Sequence, residues 1–346
     1  MIACDIILRR ALVAVALFAA AAVVVPAKAD PVAEFYAGKT LSIVSGFTPN
    51  GENDTYIRLL GRHIGKHIPG RPFIVNSNMP GAGTLIAANN LSAKATPDGL
   101  ALATFTAQAA VEPWLENKAA NFDPRKLNWI GSMSQDLQFC AIRPGPGVPV
   151  TFDELRRAEA VFGSSMPSSD IYRATAVVRN VLGAKIRVIA GYAGMPAVNL
   201  ALARGEVSGV CGYTPLAMRT QFADDLASGR LRLLVQMGNR TTREFGDVPS
   251  VFDFPVSPGD RALLEFFFRA LALGRPIAAP PGTPADRVAA LRAAFDSTLR
   301  DADFLAEAGK LNLSIDPATA AEIEGQMKSL AALPREFFRQ VQKVAE

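Results

Sequence analysis

Four times along this chain a short apolar run meets a loop of small polar residues, and the loop opens a helix. Leu41–Ser45 leads through Phe47–Asp54 into a helix expected from Thr55 to about His67. Phe73–Val75 leads through Asn76–Gly83 into one from Thr84 to about Lys94. Ala160–Phe162 and the loop Gly163–Ser169 precede a helix from Asp170 to Leu182. Ile186–Ala190 and Gly191–Met195 precede one from Pro196 to Arg204. Strands alternating with helices of this length predict βαβ units around parallel sheets. Ligands in such sheets sit beyond the carboxyl ends of the strands, which is where these four loops lie.

The units fall in two pairs, separated by Trp114 to Pro149 with its Pro/Gly-rich "RPGPGVP". We read that stretch as the passage into a second lobe. The second lobe continues through strand "SGVCGY", a helix from Leu216 to Ser228, strand Leu231–Gln236 and a loop from Gly246 to Asp260. "LEFFFRALALG" returns the chain to the first lobe, Thr283-Pro284 opens a helix to about Leu299, and a last helix follows Asp316-Pro317. The expected organisation is α/β: two lobes, each a mainly parallel sheet flanked by helices, with a hinge between. Residues 30–130 begin lobe one, 131–260 form lobe two, and 261–346 return to lobe one with the C-terminal helices. Helix N-termini converging on one cleft suit a hinge-closing binding protein.

Residues 1–29 read as a cleaved secretory signal. Arg9 and Arg10 precede the apolar run Ala11–Val25, and Ala27-Lys28-Ala29 is an A-x-A cleavage site. The expected localisation is periplasmic. Removing Arg9, Arg10, Lys28 and Asp5 lowers the formal charge of +4 by two, too balanced for a nucleic-acid footprint. Cys140 and Cys211 remain, both in apolar strand-like runs. Two buried free thiols are the expectation and one disulfide the alternative, since a sequence does not set Cα separations.

Catalytic machinery is sparse. The histidines are His63 and His67, spaced i, i+4 on one helix and flanked by Arg62 and Lys66. "RHIGKH" lacks the glutamate of H-E-x-x-H, so a solvated basic face is expected and no metal. No histidine follows to serve a Ser–His or Cys–His site, and there is no G-x-S-x-G elbow. "GAGTLI" has Ile86 where a dinucleotide loop needs a small residue. We expect neither an enzyme nor a cofactor.

What the loops offer is Thr, Ser, Asn and Gly, groups that hold an oxyanion without reacting with it. "NMPGAGT" (Asn78–Thr84) is a glycine turn at a helix start, where backbone N–H groups and the dipole favour an anion. Gly81 and Gly83 allow backbone approach, and Thr84 can cap the helix and donate to a ligand. Asp54 is expected as an N-cap. No lysine or arginine lies in the four loops; Arg173, one turn into the third helix, is the nearest candidate counter-charge.

These motifs resemble the solute-binding receptors of tripartite tricarboxylate transporters, the Bug-type periplasmic proteins. The family's F-P-P-G-G-x-T-D-x-x-A-R is similar to "FTPNGENDTYIR", which keeps Phe47, Pro49, Gly51, Asp54 and Arg58. Its N-R-P-G-A-G-G appears as "NMPGAGT", keeping Asn78, Pro80, Gly81, Ala82 and Gly83. P-D-G-Y-T-L-L appears as "PDGLALAT". The Y-K-G turn before P-A-x-N appears as "YAGMPAVN", keeping Tyr192, Gly194, Pro196, Ala197 and Asn199. D-V-P-T and A-P-x-G-T-P recur at Asp247–Ser250 and Ala279–Pro284. The resemblance implies a two-lobed periplasmic binding protein whose first two loops receive the carboxylate of a small organic acid and whose membrane partners are transporter subunits. The candidate ligand-binding residues, taken from these motifs and from the other polar loop residues, are Phe47, Pro49, Asn50, Gly51, Asn53, Asp54, Gly81, Ala82, Gly83, Thr84, Thr106, Ser164, Ser165, Ser168, Tyr192 and Gly194.

The departures bear on the ligand. Asn50 tolerates the left-handed turn. Glu52 puts a negative charge near the anion loops, pointing either to solvent or to an ammonium-bearing ligand. Met79 and Ala193 replace the family's Arg and Lys. The expected ligand therefore has one or two carboxylates and an apolar or aromatic body, with Met79 and Met195 against it or, alternatively, in the lobe cores. A monomer is expected. A partner of a membrane sensor and a periplasmic enzyme are the other readings.

Overall fold

The computed structural model describes residues 30–345 except 136, 167, 168, 271 and 272, so the expected signal over residues 1–29 and Ser168 lie outside the described residues. Two sheets carry the fold. The first contains β1 (Thr40–Ser45), β2 (Phe73–Asn78), β3 (Ala101–Thr104), β4 (Asn128–Ser132), β10 (Pro276–Ala279) and β11 (Ala318–Thr319), ordered β11-β4-β10-β3-β1-β2. The second contains β5 (Gln138–Ile142), β6 (Ala160–Gly163), β7 (Ile186–Ile189), β8 (Gly209–Tyr213) and β9 (Arg232–Met237), ordered β7-β6-β8-β5-β9.

The sheets are mixed rather than mainly parallel. The βα units pair in parallel, β1 with β2 and β3, and β6 with β7 and β8. The strands at the two passages between lobes run antiparallel: β10 against β3 and β4, and β5 against β8 and β9. A chain that leaves one sheet and later re-enters it has no βαβ crossover to impose parallel direction there.

The long helices follow from local sequence. α1 (Glu52–His63) starts at Gly51, whose extended backbone makes it the N-cap, with Glu52 and Asp54 in the first turn and Arg62 and His63 in the last. That charge order complements the helix dipole. α2 spans Leu85–Ala93. α3 (Asp170–Leu182) is capped by the Ser169 hydroxyl and ends at Gly183 in the left-handed region. Its Ala174, Val177, Val178 and Val181 form one buried stripe at helical spacing. α4 (Met195–Arg204) has Pro196 in its first turn and ends at Gly205. α5 (Pro258–Ala270) and α9 (Arg335–Ala345) pack with α3 in a core that also reaches Phe105 and Trp129 in the first sheet's lobe. Between them lie α6 (Ala285–Thr298), α7 (Ala302–Lys310) and α8 (Ala320–Ala331).

Four expectations are corrected. α1 begins at Glu52, so Asp54 is an interior residue of the first turn and not the cap; Ile64–His67 is a 3-10 turn. The helix expected over Leu216–Ser228 is two, Pro215–Thr220 and Ala223–Ala227, parted at Phe222. α7 was not anticipated, although Asp301 caps it by accepting from Asp303 and Phe304 N–H. Cys140 and Cys211 are disulfide-bonded, not free thiols: antiparallel β5 and β8 pair them directly. Closing a loop of 71 residues removes denatured-state entropy equivalent to about 4 kcal/mol.

The two passages between sheets run side by side. Arg275 N–H donates to Ser132 Oγ (2.8 Å), and its guanidinium donates to Ser134 Oγ. Gly274 has φ +52, and any Cβ there would sit inside the Ser134 carbonyl. Only glycine lets these segments approach so closely.

Candidate functional site

Loop two is a run of positive φ. Gly81 (134°), Ala82 (47°), Gly83 (62°) and Thr84 (73°) follow one another, and the first three are exposed. Left-handed backbone costs energy at alanine and still more at β-branched threonine, and such strain persists only where surroundings hold it. Here Thr106 N–H donates to Thr84 Oγ1 (2.9 Å), and the two hydroxyls lie 3.3 Å apart. Thr84 is thus not the side-chain cap expected of it; its hydroxyl ties loop two to the turn after β3. Thr106 itself caps the short helix Ala107–Val111.

Loop one is organised differently. Asp54 is 1 % exposed. Its carboxylate accepts from Asn78 Nδ2 (2.6 Å), Arg58 Nε (2.7 Å) and Asn50 N–H (2.9 Å). Burial pushes its carboxyl up, but these donors outweigh it and hold the group below the usual aspartate range. Asn78 also donates to the Phe47 carbonyl and accepts from Arg58. Pro49 and Asn50 are exposed, Asn50 at φ 65°, and Gly51 and Asn53 are half-buried. Glu52 points neither to open solvent nor to a free anion loop. It meets Arg275 Nη2 at 2.7 Å and accepts from Thr214 Oγ1 at 3.3 Å. Arg275 is 5 % exposed and stacks 4.0 Å over the Tyr56 ring.

From the second lobe, Ser165 Oγ donates to Ser169 Oγ (2.7 Å). Ser164 is fully buried, and its Oγ has no hydrogen-bond partner among the described residues. Tyr192 donates its N–H to the Ser164 carbonyl, and its ring packs with Met195 against the lobe-two core. Gly194, at φ 94°, is the N-cap of α4.

A cavity of about 410 Å3 opens between the lobes. Ala82, Gly83, Thr84, Leu85, Thr106, Gln108, Ala109, Glu112, Asn117 and Ala119 line it from the first-sheet side, Ser169 and Arg173 from the second. Of the residues singled out from sequence, it gathers Ala82, Gly83, Thr84 and Thr106; loop one, Gly81, Ser164, Ser165, Tyr192 and Gly194 lie outside its lining. Ser169 and Glu112 were not among them. Ser169 was legible as a serine opening a helix. Glu112 was marked by being the one acid in the apolar run "AAVEPWL". Arg173 is at the cavity as expected, but it is paired: its Nη1 lies 2.7 Å from Glu112 Oε1, across the lobes. The other Glu112 oxygen accepts from Asn117 Nδ2 (2.7 Å). No group of His, Cys, Asp and Glu that could hold a metal is found among the described residues.

The basic helix face carries pairs of its own. His63 and Arg62 of α1 meet Glu307 of α7, and His67 and Lys66 of the following 3-10 turn meet its cap Asp301, docking the two segments together.

Comparison with known proteins gives one family. Residues 58–320 match the tripartite tricarboxylate transporter family receptor. No curated protein matches. Among solved structures, a solute-binding protein of this type from Polaromonas superposes with a TM-score of 0.67 at 17% identity, covering 89% of this chain and 99% of that one. MatC from Rhodopseudomonas palustris with bound malate gives 0.59 at 20% identity, covering 89% and 99%. An R. palustris protein with adipate gives 0.63 at 18%, covering 89% and 97%. The two-lobed binding-protein fold is common to them.

Proposed function

The chain belongs to the tripartite tricarboxylate transporter receptor family, and from that premise we propose that it is a periplasmic receptor. It captures a small organic carboxylate between its lobes and presents it, as a monomer, to the membrane subunits of a transporter. The observation that carries this reading is loop two: four consecutive positive-φ residues at the start of a helix, three of which, Ala82, Gly83 and Thr84, line an inter-lobe cavity. Holding backbone in that conformation costs energy, and an anion met by its N–H groups is a use that repays it. Malate and adipate in relatives of the same fold support the ligand class.

Within this reading Ala82, Gly83, Thr84 and Thr106 meet the carboxylate, and Ser169, held by Ser165, faces it from lobe two. Phe47, Pro49, Asn50, Gly51, Asn53 and Asp54 shape the approach. Tyr192 and Gly194 set the loop behind Ser164. Lobe one comprises 30–130 with 261–346, lobe two 131–260, and an N-terminal signal directs export. The ligand is a mono- or dicarboxylate with an apolar or aromatic body. The cavity's charged side chains are one arginine and one glutamate, so three carboxylates would be buried without cations. No step in this role requires turnover or a cofactor.

A thermal-shift and calorimetric screen of aliphatic, aromatic and amino-acid carboxylates tests it. A true ligand at 100 times its Kd raises stability by about 2.7 kcal/mol. No response to any carboxylate, or citrate outcompeting mono- and dicarboxylates, overturns it.

A further inference from the structure

The charged side chains lining the inter-lobe cavity are Glu112 and Arg173, bound to each other at 2.7 Å. Glu112 comes from the lobe-one side, just past helix Ala107–Val111; Arg173 comes from α3 in lobe two. Their side chains are 9% and 21% exposed, so both are largely stripped of water. The pair is also a partition. A second cavity of about 650 Å3 shares Glu112, Asn117 and Arg173 with the first and continues past Tyr172, Phe267 and Val341. A guanidinium with open space on both sides is reachable, yet its charge is already answered by an internal carboxylate.

We infer that Glu112 is a charge-counting residue: its carboxylate occupies the anion position on Arg173 that a ligand's second carboxylate would otherwise take, so the cleft selects acids with one carboxylate. This rests on the carboxylate-binding reading above. The physical reason is that loop two offers dipoles and N–H groups, enough for one carboxylate. A second one entering the same space must find a cation or remain desolvated. Arg173 is that cation, and Glu112 outcompetes the ligand because it is tethered and already oriented by Asn117. The other arginine–glutamate pair near the cleft, Arg275 with Glu52, is fixed against Ser132, Ser134 and Tyr56 and leaves no such exchange.

The test uses acids that match in body and differ by one carboxylate: hexanoate against adipate, and benzoate against isophthalate. Calorimetry measures each with the wild-type chain, Glu112→Gln, Arg173→Gln and the double variant. Glutamine keeps the shape of Glu112 and its hydrogen bond from Asn117. The wild type binds the monoacid of a pair at least tenfold tighter. Glu112→Gln moves the ratio at least tenfold toward the diacid. Arg173→Gln weakens the diacid most, and the double variant, again without net charge, returns to the wild-type ratio. Equal ratios in wild type and folded Glu112→Gln overturn the inference while leaving carboxylate binding intact. A double variant that shifts as far as Glu112→Gln also overturns it, since the effect is then not carried by Arg173. Absence of binding by all four acids to all four proteins overturns the carboxylate reading itself, and this inference with it.

Discussion

Loops one and two follow the same kind of strand, open the same kind of helix, and do opposite things with their polar groups. In loop one both carboxylates are spent on other groups of the protein: Asp54 on Asn78, Arg58 and the Asn50 N–H, and Glu52 on Arg275 and Thr214. In loop two Gly81–Gly83 carry almost no side chain, and Ala82, Gly83 and Thr84 line the cavity. The comparison teaches that the two loops divide a binding task. One is a brace whose charged groups are consumed within the protein; the other is a cradle whose backbone stays open to a ligand. Damage to the first should therefore appear as lost stability, and damage to the second as lost affinity.

The largest effect is expected where the brace is anchored. Arg275→Met removes the cation facing Glu52 and leaves a partly buried carboxylate without its charge partner. Breaking such a pair from one side costs about 3–5 kcal/mol. Urea denaturation should show that loss, with carboxylate affinity in the surviving folded fraction changed far less. A stable Arg275→Met protein with abolished binding would reverse the roles assigned to the two loops.

Asp54→Ala comes next, at about 3 kcal/mol, because three donors lose a buried acceptor together. The same carboxylate sets an acid limit. Its folded pKa lies below the unfolded value near 3.9, so its contribution is complete above pH ~4 and is lost as pH falls through the folded value. Acid titration of wild type against Asp54→Asn should thus diverge above pH ~4 and converge below it. Curves that stay parallel to pH ~2 would remove Asp54 from the brace.

Gly83→Val probes the cradle. A Cβ at Gly83 meets nothing within 4 Å, so the new side chain enters open space beside the cavity, at φ +62. The strained backbone costs about 1–2 kcal/mol in stability, whereas affinity should fall tenfold or more as the side chain blocks backbone approach. Normal binding by a folded Gly83→Val protein would place the carboxylate elsewhere in the cleft.

How far the sequence reveals this division depends on the range of each interaction. Loop two was legible because its glycines sit beside its helix start, and local backbone geometry is a local property. The βα units were legible for the same reason. Loop one's role was not, since Glu52 finds its partner 223 residues away and a pattern read within one loop leaves that charge unanswered. The pairing of Glu112 with Arg173, 61 positions apart on different lobes, is hidden likewise. The disulfide depended on the β5–β8 register, which two apolar runs alone do not determine. The antiparallel strands at the lobe passages are short apolar runs whose direction comes only from where the chain returns.

The smallest expected effect falls where the two roles meet. Thr84 belongs to the cradle by position and to a brace by bonding, for its Oγ1 holds Thr106 N–H at 2.9 Å while its backbone lies in the left-handed region. Valine has the same shape and the same β-branched strain at φ 73°, so Thr84→Val removes the acceptor and little else. Leaving the Thr106 N–H of a half-buried residue without its acceptor costs about 1 kcal/mol. Thr106 is then less firmly held, while Gly81 and Gly83 still shape the turn. Affinity should drop only a few-fold, well short of Gly83→Val. Two measurements separate the roles: the urea midpoint reports the tie to Thr106, and calorimetry with the best carboxylate reports the cradle. If the midpoint stays fixed and affinity falls a hundredfold, the Thr84 hydroxyl is itself a ligand contact. The line between brace and cradle would then run through loop one alone.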